Sequence, residues 1–576
     1  APPWPEPSGR RGMSTDVLLL NLTRFGDLLQ SQPLIQDLHD SGHQVGLVCL
    51  DNFAAALPLL RHVDAAWPLP GAKLMAALDR DWRTAAAQLL DLARRIRREA
   101  APRHVVNLTP TLPARLLSKL LAPTPEAVLG FGLDPEGFGV NQGVWSSFLS
   151  GATLRRLNAP FNLVDMFRMV GAPLFAPGIA GRPGRFSLRT PPDAAMAHAD
   201  ALLARPENLP MSAHPKGFVA LQLGASEARR QWPVAHFAAL GERLWREAGL
   251  CPVLLGAPAE RPLAREYAAC AARDRTPFVN AVGRTDIPQL AALLRKMRLL
   301  ATNDTGTMHL AAGLGLPCLA FFLATAQPWD TGPYLPGCCC LEPALPCHPC
   351  SFRQPCPHGH ACLTRISPTS AGDLILARLE GGGWQAGLSP ELRREARVWL
   401  TETDARGFAG VRSLSGHDSE DRSLWLSQQR PFWCHILDDL SSNAAGQAAG
   451  PANGHIEKHA AGQTGGQLDA PPCSPDFCRQ VTPVLAQAAR LLDMLSEQGR
   501  LTGKSAKAGQ LFLLNCERLQ NLLNACPPLA SLACFWRELR QERGDRMDEL
   551  LHFVGLLAGH LERWAAHMTV SSRNPL

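Results

Sequence analysis

Short apolar runs that end in a small or polar residue, each followed by a helical stretch, recur in two series along this chain. Strand and helix alternating at such spacing form right-handed βαβ units on a parallel sheet, which restricts the chain to an α/β architecture. In the first series, residues 16–22 read as a strand, Thr23-Arg24-Phe25-Gly26-Asp27 as a loop and residues 28–41 as a helix. Strands at 44–50 and 104–108 follow, with helical stretches at 73–100 and 115–121. The second series has strands at 218–223, 251–255, 299–302 and 318–322, interleaved with helices at 234–248, 287–297 and 308–314. A Pro-rich stretch at 175–215 joins the two halves. Paired halves of this kind hold a ligand in the cleft between them, at the carboxyl ends of the strands.

The reading divides the 576 residues into a disordered leader (1–12), a first Rossmann-like domain (13–180) and a second (181–380). The second carries a Cys-rich loop at 338–362. An irregular or helical extension (381–440), an Ala/Gly/Gln/Asn-rich flexible linker (441–475) and a helical module (476–576) follow. In that module Leu550, Val554, Leu557 and Leu561 share one helix face, as do Leu485, Ala488 and Leu492. The net charge of +6 is small for this length, and the absence of long like-charged runs argues against a nucleic-acid partner. No apolar run reaches the roughly 18 residues of a membrane span, and none reads as a signal segment. The expected location is the cytoplasm, where the 17 cysteines would be reduced or bound to metal.

Five places hold residues suited to chemistry. Asp27, after the first strand and beside Gly26, is either a helix cap or a carboxylate at the cleft mouth able to take a proton. In Asn303-Asp304-Thr305-Gly306-Thr307-Met308-His309, helix-start amides and a glycine can receive an anion; the alternative is a plain N-cap with a structural histidine. Gly224-Ala225-Ser226 with Arg229-Arg230 joins a small-residue turn to two cations that suit a diphosphate, or else a solvated Arg pair. Glu260, beyond the strand ending at Gly256, can accept from ribose hydroxyls or be a surface acid. Cys347, Cys350, Cys356 and Cys362, with His358 and His360 between them, suit a structural zinc or iron, or form a loop of free thiols. Asp79-Arg80-Asp81 reads as a solvated helix face. So do Arg94, Arg95, Arg97 and Arg98, whose other reading is contact with phosphates or an acidic membrane surface.

In this order the motifs resemble glycosyltransferase family 9, the ADP-heptose:lipopolysaccharide heptosyltransferases, over residues 15–380. The resemblance rests on NDTGTMHLAAGLGLPCLAFF (303–322), LGASEARRQWPVAHF (223–237) and LLLNLTRFGDLLQSQPLI (18–35). CHPCSFRQPCPHGHACL (347–363), Trp329 and Thr331-Gly332-Pro333-Tyr334 add to it. It implies a GT-B fold and an inverting reaction that requires no metal or other cofactor. Asp27 matches the base, and Arg230 stands where a phosphate-binding Lys is usual. Ser226 matches a phosphate contact and Glu260 the ribose contact, with Gly224 in the same turn. Asp304 lies near the sugar, Thr305 and Gly306 supply diphosphate-binding amides, and His309 is the motif histidine. The implied partners are ADP-heptose or a similar nucleotide sugar and a lipid A-core or autotransporter-type protein acceptor, with peripheral inner-membrane contact. A nucleotide-sugar 2-epimerase and a non-catalytic nucleotide-sugar-binding module share the architecture and are the competing classes. Residues 381–576 have no counterpart in the resemblance.

Overall fold

The computed structural model describes residues 15–573, except 155, 157, 158, 211, 212, 353, 449–472 and 545. The expected leader and most of the expected linker lie outside these residues. Contacts divide the chain into two units: residues 1–132 with 161–417, and residues 133–160 with 418–576.

The first unit holds both α/β halves. Its first sheet is parallel, ordered β3-β2-β1-β4-β5. The strands are β1 (Val17–Asn21), β2 (Val45–Leu50), β3 (Ala65–Leu69), β4 (His104–Asn107) and β5 (Val128–Leu133). The central strand β1 is buried along its whole length, as its unbroken apolar run requires of a strand covered on both faces. The helix expected at 28–41 is two helices, α1 (Phe25–Gln30) and α2 (Gln32–Asp40). Pro33 has no N–H to continue the ladder, so the chain breaks at Ser31. Beyond β3 come α3 (Gly71–Arg80) and α4 (Trp82–Ala100), and α5 (Leu112–Leu121) follows β4. Asp81 caps α4, its carboxylate accepting from the Arg83 and Thr84 amides at 3.1 and 3.2 Å, so the Asp79-Arg80-Asp81 motif is a helix junction on an exposed face.

Within the second unit, β6 (Gly139–Gln142) precedes α6 (Val144–Leu154). Residues 133–160 were expected in the first Rossmann-like domain, and the structure places them with the helical module instead. After α7 (Leu163–Gly171) and α8 (Asp193–Leu203), the second sheet of the first unit begins. It contains β7 (Gly217–Gln222), β8 (Leu250–Leu255), β9 (Val279–Asn280), β10 (Leu300–Asn303), β11 (Cys318–Phe321), β12 (Cys339–Pro343), β13 (Ala396–Thr403) and β14 (Ala409–Ser413). The order is β14-β13-β12-β11-β10-β7-β8-β9, parallel except for β13 and β14. Thus part of the 381–440 extension is two antiparallel strands. The helices of this half are α9 (Val234–Ala248), α10 (Arg261–Asp274), α11 (Ile287–Leu294), α12 (Gly306–Gly313), α13 (Pro328–Thr331), α14 (Pro368–Leu379) and α15 (Pro390–Glu395). Trp232 anchors the core: its ring stacks on Phe321 at 4.2 Å and its indole N–H donates to the Ile366 carbonyl at 3.0 Å.

In the second unit α6 is joined by α16 (Asp421–Ala448), α17 (Pro475–Leu501), α18 (Ala506–Asn524), α19 (Ala530–Arg543) and α20 (Met547–Arg573). The expected apolar faces of α17 and α20 are buried. Trp425 stacks on Trp564 at 4.5 Å, and Phe148 of α6 meets Trp433 of α16 at 4.8 Å. Gly151 of α6 lies against Cys534 of α19, where a Cβ would come within 3.1 Å of the Cys534 Cβ.

Candidate active site

Parallel strands deliver their following loops to one edge of a sheet, and the loops after β7, β8 and β10 all reach the same edge. Asn303, the last residue of β10, locks two of these loops together. Its side-chain oxygen accepts from the Trp232 N–H at 2.9 Å, and its amide donates to the carbonyls of Leu223 and Gly224 at 3.0 and 3.2 Å. The chain then turns through Asp304 and Thr305 into α12, whose first residue is Gly306. Thr307 donates to the Gln222 side chain at 3.0 Å and fixes that first turn on β7.

Arg230 lies at the end of the short 3-10 turn Ala228–Arg230. Its guanidinium pairs with the Asp304 carboxylate and lies 3.4 Å from the Ser226 hydroxyl. The pair is almost wholly withdrawn from water, yet the Nε of Arg230 has no hydrogen-bond partner. Arg229 is engaged elsewhere, with Glu227 at 2.7 Å and the Gln354 carbonyl at 3.2 Å, so the two cations of the motif separate. Glu260 accepts from the Ala257 amide at 2.6 Å and lies directly against Gly224, where a Cβ would fall 1.3 Å from its Oε1. Gly224 is therefore the residue that makes room for this carboxylate.

From the other half, α1 meets the start of α12. A Cβ on Gly26 would come within 2.9 Å of the His309 ring and 3.4 Å of the Gly306 Cα. A Cβ on Gly306 would meet the Phe25 ring at 2.6 Å. Two glycines thus let the helices start in contact, and Asp27 follows at the third position of α1. It is half-buried, and its carboxylate accepts a single long bond, 3.5 Å, from the Arg24 N–H. Asn21 holds the turn by donating to the Asp27 carbonyl at 3.0 Å. The structure so brings together Asp27, Ser226, Arg230, Asp304, Thr305, Gly306 and His309, with Gly224 and Glu260 on the adjoining loops. An acid, a buried cation and helix-start amides on adjoining segments are groups that can accept a proton and receive an anion.

Sequence reasoning missed what joins the halves. Arg168 of α7 donates to Asp37 of α2 at 2.6 Å and to the Arg182 carbonyl at 2.9 Å. Tyr334, beyond α13, donates to Asp165 at 2.7 Å, and Asn162 donates to the Gly332 carbonyl at 3.1 Å. Asp165 and Arg168, three apart within an otherwise apolar helix, were the available signal.

The four thiols of the Cys loop lie within electrostatic reach of one another, Cys350 of Cys362, Cys347 and Cys356. Among the described residues no three His, Cys, Asp or Glu side chains are gathered to hold a metal. Cys347 is exposed, Cys350 and Cys356 are half-buried and Cys362 is buried, and none is in a disulfide. Burial, and then the neighbouring thiols of the same loop, push the Cys350 and Cys362 thiols upward from their ordinary pKa. The loop instead braces the turn after β11, where Ala324, at φ 53°, accepts from the Cys350 amide at 2.8 Å. No structural zinc or iron is assigned to these residues.

Two Rossmann-like halves in one unit, touching through α1 and α12, have the arrangement of the GT-B class. Residues 188–361 match the model of glycosyltransferase family 9 (heptosyltransferase), which bears out the resemblance for that segment. The chain is 30% identical over 98 residues to lipooligosaccharide heptosyltransferase 2 of Haemophilus influenzae, covering 17% of this chain and 28% of that protein. It is 31% identical over 173 residues to lipopolysaccharide heptosyltransferase 1 of Pseudomonas aeruginosa, 27% of this chain and 46% of that one. The alignments thus span about a quarter to a half of these relatives' length. The solved ADP-heptose lipopolysaccharide heptosyltransferase II of Escherichia coli superposes with a TM-score of 0.45 at 18% identity, over 63% of this chain and 98% of that one.

Proposed function

We propose that this chain is an inverting glycosyltransferase that moves a heptose from ADP-heptose to a lipopolysaccharide-core acceptor, without a metal ion. The observation that supports the reading is the approach of α1 to α12, in which Gly26, the neighbour of Asp27, lies against His309 and Gly306, while Arg230 pairs with Asp304 just before α12. In the proposed step the acceptor oxygen bonds to the anomeric carbon, Asp27 takes the hydroxyl proton, and the bond from that carbon to the phosphate oxygen breaks. ADP leaves with the electron pair. Arg230, with a buried Nε still able to donate, and the amides of Thr305 and Gly306 receive the charge on the leaving phosphate. Donors fixed in advance in this way are worth about 3–4 kcal/mol each and supply the stabilisation a metal gives other transferases. Glu260 would take the ribose hydroxyls, with Ser226 on the phosphates. On this reading the protein works at the cytoplasmic face of the inner membrane.

The test is transfer from ADP-heptose to a lipid A-core acceptor. The reading expects turnover that survives EDTA and is lost in Asp27→Asn. Metal-dependent transfer, or an epimerised sugar formed without acceptor, would overturn it.

A further inference from the structure

The resemblance ends at residue 380, and the second sheet runs on past it by two strands, the antiparallel hairpin β13–β14 at its edge. Hairpin tips usually lie in water and touch nothing. Here Gly407 and Phe408, in the turn, are buried. The turn is built to be stiff. The Asp404 carboxylate accepts from the Arg406 and Phe408 amides, each at 2.9 Å, and the Asp404 N–H donates to the Phe408 carbonyl at 2.9 Å. Gly407 takes φ 83°, a left-handed conformation that glycine adopts freely.

The tip meets the first half on α7 and on the chain to either side of it. Before the helix, the Phe408 ring stands edge-on to Phe161 at 5.5 Å. Within it, the Asp165 carboxylate accepts from the Ala409 N–H at 2.8 Å, and from the Tyr334 hydroxyl as well. After it, a Cβ on Gly407 would fall 2.6 Å from the Arg182 carbonyl carbon. Asp165 in turn lies 3.6 Å from Arg168, one turn along α7, and Arg168 is locked to Asp37 of α2. Only Ser31 separates α2 from α1, whose start touches α12. Little slack remains along this path. A Cβ on Gly171 of α7 would collide with Leu34 of α2, and one on Gly184 would collide with the Tyr334 hydroxyl. The Asp165 and Arg168 side chains are 0% and 1% exposed, so a shift of α7 would strand a buried charge. At the hairpin's other end, β14 is joined through β13, β12 and β11 to β10, from which Asp304 and α12 follow.

We propose that the β13–β14 hairpin is a brace between the halves: through Asp165 and Arg168 its tip holds α2 and α1, and so fixes the contact of α1 with α12. Phe408, Asp165 and Arg168 are positioning residues. The brace gives residues 396–413, which have no counterpart in the resemblance, a task at the site. Its consequence for chemistry is that Asp27 is in place before either substrate binds. That consequence rests on the transferase reading, and the brace does not.

The full chain carrying Phe408→Ala is compared with the parent by amide hydrogen exchange. Exchange in α1 and α7 should quicken by about tenfold, while β7 and β8 keep the parent's rates. Phe408→Leu should restore most of the protection. Tyr334→Phe removes one hydroxyl and no bulk, and should quicken α1 by about fivefold; it carries the test if Phe408→Ala does not fold. In Phe408→Ala the rate of transfer from ADP-heptose should fall about 10–100-fold. Affinity for ADP should stay as in the parent, because the proposed nucleotide contacts all lie in the second half. A parent without turnover whose α1 loosens as described would end the transferase reading and leave the brace standing. Exchange that quickens in β14 and α7 but leaves α1 unmoved would overturn the brace. An unaltered transfer rate beside a loosened α1, or a loss of ADP affinity equal to the loss of rate, would overturn its part in catalysis.

Discussion

Arg230 and Asp304 neutralise one another at the ends of neighbouring strands, with only 6% and 8% of their side chains exposed. Removing one member of a buried pair leaves the other charge unsolvated. Arg230→Met is therefore expected to cost about 3–5 kcal/mol, read as the shift in a denaturant midpoint. Combining it with Asp304→Leu should recover most of that loss. Neither variant should transfer sugar if Arg230 is the cation proposed to face the leaving phosphate.

Asp27 is expected to act in the chemical step alone. Asp27→Asn keeps the size of the side chain and its place in the turn held by Asn21. It should lower the transfer rate by about 10²–10⁴-fold while ADP raises the melting temperature as much as before. Equal loss of nucleotide binding would move Asp27 out of the proton-accepting role.

Gly224 and Glu260 give a steric test of the nucleotide end. Gly224→Ala puts a methyl group where the Glu260 carboxylate stands. Overpacking of this kind costs about 1–3 kcal/mol, and here it must displace Glu260. Affinity for ADP, measured by calorimetry, should fall by roughly tenfold, one lost hydrogen-bonded contact. Glu260→Gln should fall less.

In the helical unit, burial raises the Glu542 pKa to about 8, and Ser147 donates to its carboxyl at 2.7 Å. Between pH ~4.5 and 8 the folded unit keeps this proton and the unfolded chain does not. Its stability contribution is full below the unfolded pKa and is lost as pH rises through 8. Glu542→Gln should leave the unit more stable than the parent at pH 9 and flatten that fall. Thermal melts followed across pH 5–9 would check both.

Much of the α/β core could be read directly from residues. The unbroken run Val17–Asn21 and the 303–309 motif fell where a buried strand and a strand-to-helix turn stand, because both are local patterns. What stayed hidden was set by distant partners. The strand β13 reads ARVWLTET, with a charge near its start and three polar residues at its end, and becomes a strand only by pairing antiparallel with β12. The contact of α1 with α12 depends on Gly26 and Gly306, each an ordinary turn residue until the other faces it. In the Cys loop, spacing brings four thiols near one another, but it does not tell that Cys347 is exposed and Cys362 buried.

The helical unit also has a birth order. Its first piece, α6, leaves the ribosome long before α19, against which Gly151 and Ser147 are seated. At about 5–20 residues per second, the intervening stretch takes some tens of seconds to make. Until α16 is made Phe148 of α6 lacks Trp433, and until α19 is made it lacks Phe535. A nascent chain with this topology presents a chaperone-sized apolar target in the middle of its synthesis, and its yield on expression should depend on holdase capacity more than on the final stability of either unit.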